Sequence, residues 1–223
     1  MTMLDDLLKI PGTVAAGEST PDGQLVDYRA TMEMSPELAA TAAKFITTMT
    51  MIYEALASAY SEVGEMSWVP QGGWMYSGGE WTVAVSGSHW SICNTAESAF
   101  SQLYDPTTAA AKTASLGDML SLGGAVAAGE YSVDGKSVGH KATLDMPPEL
   151  AAMAAQFCAA ITMMFRTLSA IYTGLSKMTW LPAHGWLYSG GDWTIAVSGS
   201  YWTMVRTAEA DFNELYAALV GRQ

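Results

Sequence analysis

The acidic residues of this chain recur in matched pairs. Glu18 and Glu130 each end a Val-Ala-Ala-Gly-Glu run, and Glu80 and Asp192 each follow a Ser-Gly-Gly run. Two similar carboxylates can serve acid–base chemistry. In each copy, however, they lack a plausible partner, so turn and solvent-facing roles compete with catalysis. His89, His140 and His184 have no histidine at the corresponding position of the other run. The sequence holds no HExxH, no His/Cys cluster and no metal-ligand spacing. It also lacks a GxSxG elbow and a GxxxxGK[ST] loop. Ser77-Gly78-Gly79 reads as a hairpin turn, not a strand-to-helix elbow. Cys93 and Cys158 form no CxxC and no disulfide framework, which suits a reduced, cytoplasmic protein. The expectation is a chain without catalytic, metal-ligating or cofactor-binding residues.

Binding chemistry is better represented. Eight tryptophans fall at matched positions in strand-like regions: Trp68, Trp74, Trp81, Trp90 and Trp180, Trp186, Trp193, Trp202. They suit core packing, or an aromatic surface for a protein partner or flat ligand. Part of the 15 methionines, including Met49, Met51, Met153, Met163 and Met164, lie on helix-like segments as core filler or as a plastic binding face.

The pairing of these residues reflects a duplication. Residues 12–104 align without a gap on 124–216, and about half the positions are identical. The chain therefore divides into a first domain, 1–106, a linker, 107–114, and a second domain, 115–223. Each half reads as a short helix, two strands around Asp22-Gly23 or Asp134-Gly135, a long helix, three strands and a closing helix. In the first half these are expected at 3–9, 13–19, 25–31, 36–63, 66–77, 80–87, 89–94 and 96–104. Ser35 is a suitable N-cap with Pro36 behind it, whereas Pro147 replaces that cap in the second half. Leu38, Ala42, Phe45, Met49, Ile52, Leu56 and Val63 recur at helical spacing, as do Leu150, Ala154, Phe157, Ile161, Met164, Leu168 and Leu175. Ile46, Tyr53 and Tyr60 widen that face, so the helix should be buried on two sides. The fold class is α/β, an α+β sandwich on an antiparallel five-stranded sheet in each half.

Composition narrows the function. Half of the residues are hydrophobic, and the net charge is −12 with no basic stripe, which argues against nucleic acid and anionic membranes. The acidity is uneven: 13 acidic and 4 basic residues in 1–112 give −9, and 9 and 6 in 113–223 give −3. No stretch reaches about 18 uncharged apolar residues, so membrane insertion is not expected.

The element order resembles the roadblock (dynein light chain roadblock-type) superfamily. The motifs at Val14–Gly23, Pro36–Ala39, Met66–Trp74 and Ser77–Val83, repeated at Val126–Gly135, Pro148–Ala151, Met178–Trp186 and Ser189–Ile195, resemble a prokaryotic branch of it. That resemblance implies two-fold pairing with the third strands edge to edge and the long helices side by side on a continuous ten-stranded sheet. Both partners lie in one chain here, so an internal pseudo-dimer is expected, with further assembly open. The resemblance implies a non-enzymatic scaffold or regulatory module for a small Ras-like GTPase or for subunits of a multiprotein complex, such as a sulfur-metabolic one. The alternative is a small-molecule or cofactor module with a Trp/Met-lined apolar pocket. The pseudo-dyad and interaction candidates are Met49, Tyr53, Glu54, Ile161, Phe165, Arg166, Trp68, Trp74, Trp180 and Trp186. Glu54 and Arg166, aligned and opposite in charge, are expected to pair across the dyad.

Overall fold

The computed structural model describes residues 2–97, 115–212 and 215. The first half contains α1 (Met3–Leu7), β1 (Thr13–Ser19), β2 (Leu25–Ala30), α2 (Pro36–Gly64), β3 (Gln71–Gly78), β4 (Trp81–Ser86) and β5 (His89–Asn94). The second repeats it with α3 (Leu116–Leu120), β6 (Ala125–Tyr131), β7 (Ser137–Ala142), α4 (Pro148–Ser176), β8 (Ala183–Gly190), β9 (Trp193–Ser198) and β10 (Tyr201–Arg206), followed by a 3-10 turn, Thr207–Glu209. The closing helix expected at 96–104 and the linker at 107–114 lie outside the described residues, apart from Ala96 and Glu97.

Local chemistry sets the boundaries. Ser35 accepts a hydrogen bond from the Leu38 amide at the start of α2, and Pro36 fixes the first helical φ. Pro147 gives α4 no side-chain cap. Both long helices end at a left-handed residue, Glu65 and Lys177. The strands expected from residue 66 begin at Gln71, so Trp68 and Trp180 precede their strands. Residues 66–70 and 178–182 instead run to the opposite half.

The two five-stranded halves form one antiparallel ten-stranded sheet in the order β2-β1-β5-β4-β3-β8-β9-β10-β6-β7. β3 and β8, the third strand of each half, meet at the centre, with Trp74 opposite Tyr188, Met75 opposite Leu187 and Tyr76 opposite Trp186. Met75 and Leu187 are repeat counterparts, so the pseudo-dyad passes between them. The pairing removes what would be an exposed edge in each half.

α2 and α4 lie antiparallel on one face. Phe45 sits 5.8 Å from Tyr172, Tyr53 sits 6.0 Å from Phe165, and Tyr60 sits 5.1 Å from Phe157, ring centre to ring centre. The residue numbers rise on one helix as they fall on the other, and Tyr53 and Phe165 mark the crossing. Each helix therefore packs on the sheet and on its partner, as its wide apolar face requires. Val63 and Leu175 are exceptions: both are exposed, at the helix ends beyond the crossing. α4 has the length and composition of a membrane-crossing helix, but half of its most apolar window is buried inside the fold. On the opposite face, α3 packs on β6, β7 and β10, and Leu187 of β8, Ala196 of β9, Val205 of β10 and Leu215 form a smaller core.

Candidate functional site

At the centre of the molecule the repeated motifs of one half grip those of the other. The Tyr76 hydroxyl donates to the Trp180 carbonyl at 2.9 Å, and the Tyr188 hydroxyl donates to the Trp68 carbonyl at 2.8 Å. The Gly79 and Glu80 amides donate to the carbonyls of Pro182 and Thr179. The Gly191 and Asp192 amides answer with Pro70 and Ser67. Each Ser-Gly-Gly turn therefore holds the Met-x-Trp-x-Pro segment of the opposite half. A Cβ on Gly78 would lie 2.2 Å from the Trp180 carbonyl oxygen, and one on Gly190 would lie 2.1 Å from that of Trp68. Such approach needs glycine.

The candidate aromatic residues build this seam. Tyr53 stacks on Tyr188 at 4.9 Å, and its counterpart Phe165 stacks on Tyr76 at 4.4 Å. Trp74 and Trp186 are buried and donate their indole N–H to Thr50 and Thr162 at 2.8 and 2.9 Å. Met49, Ile161, Trp68 and Trp180 are also buried, so they offer no outer surface. Trp90 and Trp202 lie over Gly17 and Gly129, where a Cβ would meet the indole at 2.2 and 2.4 Å. This contact accounts for the glycine in each Val-Ala-Ala-Gly-Glu run. The apolar cavities beside the helix crossing are small. The larger, lined by Met66 and Trp68 among others, holds about 20 Å³, room for little more than water.

Burial of so many phenols has a pH consequence. It pushes Tyr60, Tyr76 and Tyr188 up to about 12, from an ordinary 10.0, and raises Tyr53 and the Cys158 thiol as well. Folded tyrosines therefore keep protons that unfolded ones release above pH 10, so the unfolded state gains as pH rises. The urea midpoint is expected to hold steady from pH 7 to about 9 and to fall through pH 10–12. A midpoint still unchanged at pH 12 would contradict this burial.

The remaining chemical candidates lie apart from the seam core. Glu18 and Glu130 are half-buried on β1 and β6, and Glu80 and Asp192 are exposed in the hairpins whose amides cross the seam. His184 has its Nε2 2.7 Å from the Gly79 carbonyl, a contact across the halves that Gly72, its counterpart, cannot reproduce. Cys93 and Cys158 are free and buried. Among the described residues no three His, Cys, Asp or Glu side chains come together.

The expected Glu54–Arg166 ion pair is not formed. Both residues are exposed, and each lines a cleft in its own half. The dyad runs between Tyr53 and Phe165, and the next residue on each helix turns outward to its own side. The ion pairs among the described residues are the local surface pairs Lys9–Asp6, Arg29–Asp27 and Lys136–Asp134.

The two clefts are unequal. In the first half, Ser19, Thr47, Thr50, Glu54, Gln71 and Gly87 help to line a cavity of about 270 Å³. The equivalent space near Thr162, Arg166 and Gly199 measures about 10 Å³. The largest change among the aligned lining residues is at Ser19. Tyr131 stands where the first half has Ser19, with its hydroxyl 2.9 Å from Thr162 Oγ1 and donating to the Gly199 carbonyl at 3.0 Å. Its ring occupies the space that Ser19 leaves open. The backbone is the same in both copies: the Ser19 amide meets the Ser88 carbonyl at 3.0 Å and the Tyr131 amide meets that of Ser200 at 2.9 Å.

The helix pair exposes several large apolar side chains. Met51 and Met163 are repeat counterparts, and both are exposed, at 59% and 64%. Ile171 and Leu175 are also exposed on α4, as Val63 is at the end of α2.

Two segments of the chain, residues 3–107 and 115–220, each match the family model described as "Uncharacterized conserved protein (DUF2173)". The chain belongs to this family. It carries two DUF2173 repeats in tandem. No curated protein and no solved structure matches it. The Ser-Gly-Gly turns and Met-x-Trp-x-Pro segments of the two DUF2173 repeats meet across the pseudo-dyad, which gives them a structural role in pairing the repeats. The unequal clefts escaped the reading of the sequence, although a signal was present. Ser19 aligned with Tyr131, Thr47 with Ala159 and Gln71 with Ala183 are changes of size and polarity between otherwise similar DUF2173 repeats.

Proposed function

We propose that this protein is a non-enzymatic scaffold or regulatory module, a single-chain pseudo-dimer of roadblock-type domains acting in the cytoplasm. Its partner is a protein, either a small Ras-like GTPase or a subunit of a multiprotein complex such as a sulfur-metabolic one. The observation that carries this reading is the set of large apolar side chains exposed on the helix pair, Met51 and its counterpart Met163 together with Ile171 and Leu175. Flexible thioethers on an exposed face suit a docking surface that must adapt to a partner. The buried seam supports the reading in a second way, because it fixes the two helices against each other and so fixes the positions of these exposed side chains.

The test is affinity capture from native lysate, with GDP or with a GTP analogue, comparing the wild type with the Met51→Glu/Met163→Glu double variant. Both methionines are exposed, so the variant's unfolding free energy should stay within about 0.5 kcal/mol for each change. Recovery of a stoichiometric partner should fall at least about tenfold, as loss of a central contact costs on the order of 2 kcal/mol. Equal recovery by both proteins would end the proposal. A nucleotide effect would favour the GTPase.

The alternative, a ligand module with a Trp/Met-lined apolar pocket, has less support. The cavity between Met66 and Trp68 is too small for a cofactor.

A further inference from the structure

The second half of the chain carries a template for what the first half's cleft can bind. In the second half, the Tyr131 phenol is 5% exposed and packs into the core. Its hydroxyl donates to the Gly199 carbonyl and lies 2.9 Å from Thr162 Oγ1. Since its one proton goes to Gly199, the contact with Thr162 makes it an acceptor there. The pocket thus recognises a flat ring whose hydroxyl both donates and accepts.

The first half keeps this recognition site and omits the side chain. Thr50 and Gly87, counterparts of Thr162 and Gly199, both line the cleft, as does Val85, counterpart of Val197. Trp74 donates to Thr50 just as Trp186 donates to Thr162. With no phenol beside it, Thr50 turns its proton back to the Ile46 carbonyl at 3.0 Å. Gln71 lines the same cleft, and its Oε1 is buried without a hydrogen-bond partner. A buried acceptor of that kind costs free energy until a donor meets it. The volume, about 270 Å³, is near the lower end of ligand sites and suits a single ring.

Charge refines the class. Glu54 stands at this cleft where Arg166 stands at the other, and residues 1–112 carry −9 against −3 for the rest. An anionic substituent would be repelled and a cationic one attracted.

We infer that the cleft bounded by Ser19, Thr50, Glu54, Gln71 and Gly87 binds a small phenolic molecule, preferentially one bearing a basic amine. This site shares Met51 with the proposed docking surface and does not depend on that proposal.

The probes are phenol, tyramine and 4-hydroxyphenylacetate, titrated into the full chain while amide and indole resonances are followed. Tyramine should bind more tightly than 4-hydroxyphenylacetate, with shifts clustered at Ser19, Thr50, Glu54, Gly87, Ser88 and the Trp74 indole. Ser19→Tyr should supply the missing ring within the chain and reduce tyramine binding at least about tenfold. Glu54→Gln, at an exposed position, should weaken tyramine about threefold, as expected for a solvated charge pair, and leave phenol within about twofold. The Glu54→Gln comparison and the map of shifted resonances do not depend on whether Ser19→Tyr folds. The inference is overturned if none of the probes shifts these resonances at 10-millimolar order (about 10 mM, a binding free energy near −3 kcal/mol), if the shifts cluster elsewhere, or if a folded Ser19→Tyr binds tyramine like the wild type.

Discussion

Phe165→Ala is expected to lower the unfolding free energy by about 3–5 kcal/mol, the usual range for emptying a buried aromatic site. Phe165 is fully buried at the helix crossing. Its ring stacks on Tyr76 at 4.4 Å and lies 5.8 Å from Trp74 and 6.0 Å from Tyr53. Tyr76 belongs to the other half, as do Trp74 and Tyr53, so the truncation removes contacts that join the repeats. Rigid indoles and a hydrogen-bonded sheet surround the space and limit collapse into it, which places the cost toward the upper end. A domain with a total stability of about 5–15 kcal/mol would lose a large share of it. Tyr53→Phe supplies the contrast. Tyr53 is also fully buried, but its hydroxyl has no hydrogen-bond partner, and phenylalanine already occupies the equivalent position in the second half. Removing that hydroxyl is expected to leave stability unchanged or to raise it by about 1 kcal/mol. Urea unfolding of both variants, followed by tryptophan emission, checks the pair of outcomes. A loss below about 1 kcal/mol for Phe165→Ala would mean that the crossing is not packed around this ring.

Much of the fold was legible because one sequence contained two readings of the same unit. The apolar width of residues 36–63 implied burial on two sides, and the helix pair on the sheet supplies both. Turn chemistry at Asp22-Gly23 and the Ser35 cap set local boundaries that the structure keeps. The starts of β3 and β8 were less legible. Residues 66–70 carry strand-like Trp and Val, but the Ser67 and Pro70 carbonyls accept from the Asp192 and Gly191 amides of the opposite half, which no local pattern announces.

The site was harder to read for a related reason. Glu54 and Arg166 invited an ion pair because their charges oppose at aligned positions. Alignment places equivalent residues on opposite sides of a dyad, and the dyad falls one residue earlier, at Tyr53 and Phe165. The tryptophans suggested a surface by their abundance, whereas seven of the eight are buried and Trp81 is half-buried. A ring at Tyr131 and its lack at Ser19 is a plain difference in the sequence. Its meaning depends on knowing that Thr162 and Gly199 lie at the far end of that ring.

Gly79→Ala tests the seam from the backbone side, and Gly87→Ala is its built-in control. The two glycines have nearly the same left-handed backbone, with φ of +55° and +56°. Alanine at either position therefore carries a similar conformational cost of about 1–2 kcal/mol. Their surroundings differ. A Cβ on Gly87 meets nothing within 4 Å, whereas one on Gly79 would lie 2.0 Å from the Thr179 carbonyl oxygen and 2.7 Å from its carbon. That obstacle is main chain from the opposite half, so no side-chain rotation relieves it. The segments must separate, which strains the Gly79 amide bond to Pro182 and the Glu80 amide bond to Thr179. Overpacking of about 1–3 kcal/mol and the weakening of two hydrogen bonds at about 1 kcal/mol each add to the conformational cost. Gly79→Ala is thus expected to cost about 3–6 kcal/mol against about 1–2 for Gly87→Ala. Urea midpoints of the two variants, with unchanged denaturant slopes, measure the difference directly. Equal losses would mean that the Ser-Gly-Gly turn does not hold the opposite half, and that the pairing of the repeats rests on the helices and the β3–β8 ladder alone.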